Sequence, residues 1–400
     1  MYKYFKHSYL TCWIVPAAAL TVFLAPQWAF FIPVVITLLN AVGDIMTPPD
    51  RSVPEYSQHW ILDAMVYLYV PFVSLYMFSV MWIAAPGDLL GLSAWVGNTF
   101  GQHFPVDLLA IKEAAGLRGL LASTFAVGYV LSSNHLYAHE LVHRTTDKVA
   151  MFTGRWLLAM VGDAQFSISH VYAHHRNVGT VFDAATARRG ESVYRFFLRS
   201  SIGQYGESWG IEGQRLRNRG KDLVSVHNRV LTGLAMTAVL YGLWYLAAGL
   251  TGVAAYTFII VLAKFLFETV NYIEHYGVVR VPGTRVEPRH SWDCDTRMSS
   301  NALLNLSRHA DHPANAHKKY WELEAVDTPL QLTYGYISTI VVALVPFWWH
   351  RFAAPQLARW DSFSATPEEK LLAEEASRAS AHPVFMSATT KGNSQCSQNI

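Results

Sequence analysis

Residues 119–143 read GLLASTFAVGYVLSSNHLYAHELVH, an apolar run that passes without a break into HExxH (His139, Glu140, His143). A membrane helix needs about 20 mostly apolar residues. The stretch 119–139 is long enough to span, and it delivers two histidines to its end. Histidines four apart share a helical face and can reach one metal. Three more histidine segments follow at or after the ends of apolar runs: HVYAHH (His170, His174, His175), NYIEHYG (His275) and RHADH (His309, His312). Eight clustered histidines exceed the roughly four ligands of one tetrahedral metal and suit two. Imidazole binds zinc, copper, iron and nickel alike, so the ligand type does not name the metal.

The composition fits a membrane protein. The chain is 52% hydrophobic, 14% aromatic and only 15% charged, against about 25% charged in soluble domains. A net charge of +2 carries no signature of nucleic-acid binding. Cys12, Cys294 and Cys396 are odd in number and far apart, so no disulfide framework or CxxC metal site is expected. Lys3 and Lys6 ahead of an apolar run resemble a signal peptide, but a second apolar run follows at once, and the pair reads as a retained helical hairpin.

Six apolar runs are candidate spans: 10–24, 28–46, 60–85, 119–139, 230–250 and 253–273. A seventh, 332–349, contains Pro346 and the cluster Phe347, Trp348, Trp349, which suits an interfacial or re-entrant element. Six crossings place all four histidine segments on one face. The arginine-rich stretch 144–229 assigns that face to the cytosol. The expected architecture is an all-α integral membrane protein of six transmembrane helices with a cytosolic histidine-rich metal cap. It comprises a membrane-embedded domain over 1–362 and a polar tail over 363–400. Residues 366–380 predict a charged surface helix, and disorder is expected from Ser380 onward.

Within the motifs, His170 and His174 repeat the four-residue spacing, with His175 turned toward a second metal. His309 and His312 read as helical neighbours. Carboxylates beside ligating histidines usually fix the ring tautomer, and Glu140, Asp183, Glu274 and Asp311 are candidates. Lys264 and Glu268 lie one turn apart inside the last span. Either they form a mutual salt bridge, or Glu268 acts beneath His275. HELVH alone also fits an intramembrane zinc metalloprotease with Glu140 as base, which leaves the other clustered histidines without a task. His7, His59, His227, His350 and His382 read as core or interfacial residues, and His135 lies one turn before His139.

Taken together, HELVHR, HVYAHHRNVGT, NYIEHYG and RHADH resemble, in order and spacing, the integral-membrane alkane monooxygenase family, related to xylene monooxygenase and the histidine-box fatty-acid desaturases and hydroxylases. The resemblance spans roughly residues 10–360. It implies a six-helix bundle in the bacterial inner membrane with a cytosol-facing site for two iron ions. The implied reaction is dioxygen-dependent hydroxylation of medium-chain n-alkanes to primary alcohols, with an alkane drawn from the lipid phase into a tunnel lined by spans three to six. Electrons would come from rubredoxin and its NAD(P)H-dependent rubredoxin reductase, docked by Arg144, Arg176, Arg188 and Arg189. Methyl-arene hydroxylation and fatty-acyl desaturation or hydroxylation are the neighbouring chemistries. The matching ligands are His139, His143, His170, His174, His175, His275, His309 and His312. The family's last motif ends in two adjacent histidines, and here the second position is Pro313. His317 or His290 could substitute, or water could. Proline also disfavours helical backbone at His312.

Overall fold

The computed structural model describes residues 2–103 and 105–386. Among these the secondary structure is helical, with a single isolated bridge between Asp293 and Gln331. The apolar helices, in chain order, are α1 (Tyr9–Leu24), α2 (Phe31–Met46), α3 (His59–Ala84), α4 (Leu108–Val142) and, further on, a 46-residue element at Arg229–Glu274. The last three are long and apolar enough to cross a membrane.

Two of these elements are broken by glycine. A straight helix rises about 1.5 Å per residue, so Trp244 and Tyr256 would stand about 18 Å apart along one axis. Instead their rings stack at 5.4 Å and 4°, and the Tyr241 hydroxyl meets Thr257 Oγ1 at 3.1 Å. Arg229–Glu274 is therefore a hairpin. It turns at Gly249, whose φ of 56° suits a residue without Cβ. Its arms correspond to the expected runs 230–250 and 253–273. A second break at Gly116 (φ 51°) separates the start of α4 from the run 119–139.

Helix α2 shows why this bundle belongs in lipid. Val34, Val35, Leu38, Leu39, Val42 and Ile45 are exposed, whereas Asn40 and Asp44 are buried. The polar stripe faces the protein and the aliphatic stripe faces out, the reverse of a soluble amphipathic helix. Asp44 accepts from Ser299 N (3.0 Å) and Ser299 Oγ (2.6 Å), tying α2 to the chain after the last span. At the opposite end of the bundle, Lys112 Nζ donates to the carbonyls of Trp82, Ala85 and Gly87, satisfying the final turn of α3.

A helical cap covers the other end. With the membrane hairpin labelled α7 (Arg229–Glu274), the cap comprises α5 (Lys148–Met160), α6 (Val193–Arg217), α8 (Tyr336–Ala343), α9 (Pro346–Phe363) and α10 (Pro367–Ala379). The seventh apolar run is thus split in two at Leu344–Val345. Helix α10 occupies the expected surface helix, with Thr366 and Glu369 forming a reciprocal capping box. It is pinned to the cap, since Arg189 donates to Asp361 (2.6 Å) and to Ser377 Oγ (2.9 Å). Disorder expected from Ser380 does not hold through Met386. His382 lies against His350 (ring centroids 4.6 Å), and Phe385 is buried beside Tyr276. The remainder of the expected tail, and Cys396, lie outside the described residues.

Candidate metal centre

Eight histidine rings from four remote segments meet at the cap end of the bundle in two adjoining groups. The first comprises His139, His143, His170, His175 and His312; the second comprises His174, His275 and His309. Within each group all ligand atoms lie within 4.8 Å of one another. His175 Nε2 stands 3.2 Å from His143 Nε2 and 3.0 Å from His170 Nε2, and His309 Nε2 stands 3.1 Å from His275 Nε2. Metal–imidazole bonds of about 2.0–2.1 Å place neighbouring ligand nitrogens about 3 Å apart, so the donor sets fit a shared cation. The buried, partnerless Nε2 of His312 supports that fit.

The sorting of HVYAHH differs from the expected helical spacing. Residues His170–His174 form a π turn in which the His175 N–H reaches the His170 carbonyl. One extra residue per turn puts i and i+5, rather than i and i+4, on one face. His170 therefore shares a group with His175, and His174 turns into the second group. RHADH is divided likewise. His309 lies in a turn and His312 in the short helix Asp311–Ala314, so the motif straddles both groups. Pro313 does not expel His312 from helical structure. It sits in the first turn, where its missing N–H deprives no intrahelical bond.

The segment around His309 is clamped from both sides. Buried Arg308 donates to the carbonyls of Asp50 (2.7 Å), Ser52 (3.1 Å) and Leu323 (2.7 Å). Asp293 accepts from Ala310 N at 2.9 Å. Three groups hold the rings of the second group from behind. Asp183 contacts His174 Nδ1 at 3.0 Å and is itself fixed by Thr186 Oγ1 (2.6 Å) and Ala185 N (3.0 Å). His275 Nδ1 faces the His290 carbonyl at 3.3 Å. His309 Nδ1 lies 3.2 Å from Glu274, which also accepts from Tyr336 Oη.

Burial dominates the protonation of the rings. It holds His143 down to about 4 and His275 to about 3, and places His170, His175, His309 and His312 well below the ordinary histidine range. Neutral imidazole is the ligating form. His174 is the exception. Burial opposes its charge, but the Asp183 carboxylate outweighs burial and lifts it above the ordinary value.

Several expected roles are not matched by placement. Glu140 joins neither group, since Arg144 (2.8 Å) and Tyr320 N (3.2 Å) occupy its oxygens. A carboxylate committed in this way is not poised as the base of a metalloprotease. Asp311 faces away from the rings, binding Asn315 Nδ2 (2.6 Å), Lys318 Nζ (2.8 Å) and Glu324 N (3.0 Å). Glu268 pairs with Lys264 at 2.6 Å and with Gln204, below the centre. His317 is exposed and outside both groups. His290 spends Nε2 on Glu369 (2.9 Å) and Nδ1 on Glu287 N (3.0 Å), so it touches the centre only through its carbonyl. Asp163, paired with His135 at 2.9 Å, carries no sequence signal beyond its place upstream of His170.

A cavity of about 140 Å³ opens onto the centre, and its walls include His139, His170 and His309. The rest is largely aliphatic: Leu10, Ile36, Leu136, Leu266, Leu303 and Ile340. The tunnel was expected to be lined by spans three to six. Spans four and six, in α4 and the second arm of α7, do line the cavity, but spans three and five give way to α1, α2 and α8. Helix α3 is spent on packing, with Tyr69, Val73 and Tyr76 fully buried in the bundle core, and the first arm of α7 exposes Leu243, Leu246 and Leu250 outward.

An all-helical apolar bundle with histidine groups at one end defines a class, the membrane-bound oxygen-using enzymes of the histidine-box type. The model of the fatty acid desaturase family matches residues 117–341, a range that covers all eight clustered histidines, from HELVH through RHADH. Relatives narrow it. Alkane 1-monooxygenase 1 of Alcanivorax borkumensis is 32% identical over 83% of this chain and 76% of its own length. Alkane 1-monooxygenase of Pseudomonas putida is 30% identical over 82% and 76%. The xylene/toluene monooxygenase hydroxylase component of Pseudomonas putida is 29% identical over 62% and 67%. The chain belongs to the alkane 1-monooxygenase family of membrane proteins.

Proposed function

We propose that this protein is an alkane 1-monooxygenase that converts medium-chain n-alkanes to primary alcohols in the bacterial inner membrane, with six crossings and its centre facing the cytosol. The observation that carries the reading is the meeting of two histidine groups at the head of an apolar cavity. His139, His143, His170, His175 and His312 would hold one iron, and His174, His275 and His309 the other. The bound irons would supply the oxygen activation that side chains lack.

The chain's own residues do the rest. Burial favours the neutral, ligating form of the rings other than His174. Asp183, the His290 carbonyl and Glu274 aim the second group's rings. Aliphatic walls take a hydrocarbon from the lipid and keep water out. A chain end held at the cavity head presents its methyl to the centre. Terminal selectivity thereby follows from shape, against the intrinsically weaker internal C–H bonds. Rubredoxin, reduced by its NAD(P)H-dependent reductase, is the proposed donor. Of the arginines expected to dock it, Arg144 and Arg189 are committed to internal carboxylates, which leaves the exposed Arg176 and Arg188.

Purified protein in lipid nanodiscs, supplied with iron, rubredoxin, reductase, NADH and octane, tests the reading. The expected result is 1-octanol with about two irons per chain. Zinc retention with peptide cleavage and no alcohol would reverse it.

A further inference from the structure

Four ionisable side chains form an unbroken buried line beside the cavity, and none of them belongs to the histidine groups. His135 lines the cavity along with His139 and His170. Its Nε2 meets Asp163 Oδ2 at 2.9 Å, its Nδ1 faces the carbonyl of the cavity residue Ser132 at 3.3 Å, and its ring stacks on Phe267 at 3.9 Å. Lys264 Nζ lies 2.6 Å from the same Asp163 oxygen and 2.6 Å from Glu268 Oε1. Gln204 of α6 donates to Glu268 and to Ser200 Oγ, each at 2.8 Å. His135, Asp163 and Glu268 are at most 1% exposed, and the Lys264 side chain is 11% exposed.

We propose that this line delivers protons to the reaction cavity, with His135 as its terminal donor. The inference rests on the monooxygenase reading. Hydroxylation balances as R–H + O2 + 2 e⁻ + 2 H⁺ → R–OH + H2O. One oxygen atom enters the C–H bond, the O–O bond breaks, and the second oxygen leaves as water with two protons. The electrons come from the reduced donor protein. Of the other ionisable wall residues, Glu274 and Tyr336 are tied to each other and to the His309 ring, and the remaining walls are largely aliphatic. A route past the metal ligands is therefore required, and His135 is the titratable cavity residue outside both groups that continues into an ion-pair chain.

Charge counting gives the line its capacity. Asp163 and Glu268 contribute two negative charges and Lys264 one positive. The set reaches neutrality on taking up one further proton, shared between His135 and Asp163. No other ion pair touches these four among the described residues. The groups facing them from the packed elements are neutral: Gln165 before the π turn, Gln204, Ser200 and Tyr205 on α6, and Phe267 and Asn271 on α7. Low dielectric makes a net charge unfavourable there, so the proton is held until the cavity takes it and is then replaced through Lys264, the least buried of the four. A purely structural cluster would be satisfied by a balanced Lys–carboxylate pair, without a second carboxylate and a histidine turned to the cavity.

The test uses full-length protein in nanodiscs with its irons and electron donors, comparing wild type with His135→Gln and Glu268→Gln. Both variants should keep iron content and octane affinity. They should lose at least about tenfold in octanol formed per O2 consumed, and show a solvent deuterium effect larger than wild type. Independently of turnover, infrared difference spectra of the metal-free protein across pH should show one exchangeable proton on an imidazole–carboxylate pair, absent in His135→Gln. Unchanged product per O2 in both iron-replete variants, or a missing infrared signature in wild type, would overturn the proposal. So would loss of iron in step with activity in both variants, which marks a scaffold. An intact infrared signature with no octanol from wild type would instead overturn the monooxygenase reading and leave the proton site standing.

Discussion

The two histidine groups are built by opposite strategies. The first gathers five rings and leaves His139 Nδ1 and His175 Nδ1 without partners. The second gathers three; Asp183 and the His290 carbonyl hold His174 and His275 from behind, and Glu274 lies 3.2 Å from His309 Nδ1. One group relies on the number of its donors and the other on their orientation. Pro313 follows His312, a ring of the first group. The comparison teaches that deleting one ring should be tolerated unequally in the two groups.

Adjacent residues provide the sharpest test. His174→Ala leaves its group two rings. It should lose roughly half of the bound metal and at least about 100-fold of alcohol formation. His175→Ala leaves four rings in its group and should retain most of its metal, with a smaller loss of rate. Metal analysis of the two purified variants decides the matter, and equal losses would erase the distinction between the groups.

Asp183→Asn should follow. It removes the carboxylate that aims His174, and metal affinity at the second group should fall by about 10–100-fold, read by chelator competition. A pH consequence accompanies the wild type. His174 is held above the ordinary histidine value, whereas His143 is held at about 4 and His275 at about 3. A raised value means that His174 protonates first as pH falls, and a protonated ring cannot ligate. As pH falls, the second group should therefore release metal before the first. In Asp183→Asn that release should shift to lower pH, since the neutral amide no longer favours the charged ring.

Pro313→His should act in the opposite direction, slowing metal loss to chelator by up to about tenfold as the centre gains a donor beside His312. No change would mean that position 313 faces neither group. The smallest effect is expected at Glu140. Its oxygens are engaged by Arg144 and Tyr320, so Glu140→Gln should retain metal and lower octanol formation by no more than about threefold. A loss of 100-fold or more would restore a catalytic base to HELVH.

Much of this molecule was legible in one dimension because hydropathy and ligand spacing are local properties. The runs 230–250 and 253–273 return as the arms of a hairpin, and all eight motif histidines converge. The partition did not follow from spacing. His170 was expected to pair with His174, and a π turn gave it to His175 instead. Asp311 looked like a partner for its neighbouring histidines, but its oxygens close the following loop. Asp163 was passed over because nothing in the chain marks a lone aspartate as the partner of His135.

Sequence by itself determined that the chain enters lipid as helices and that it carries imidazole enough for two metals, since burial preference and donor chemistry belong to individual residues. Only the tertiary structure decided which ring joins which group, which carboxylates stand behind them and which helices wall the cavity. Those outcomes depend on helical phase, accumulated turn by turn, and on contacts between segments more than a hundred residues apart.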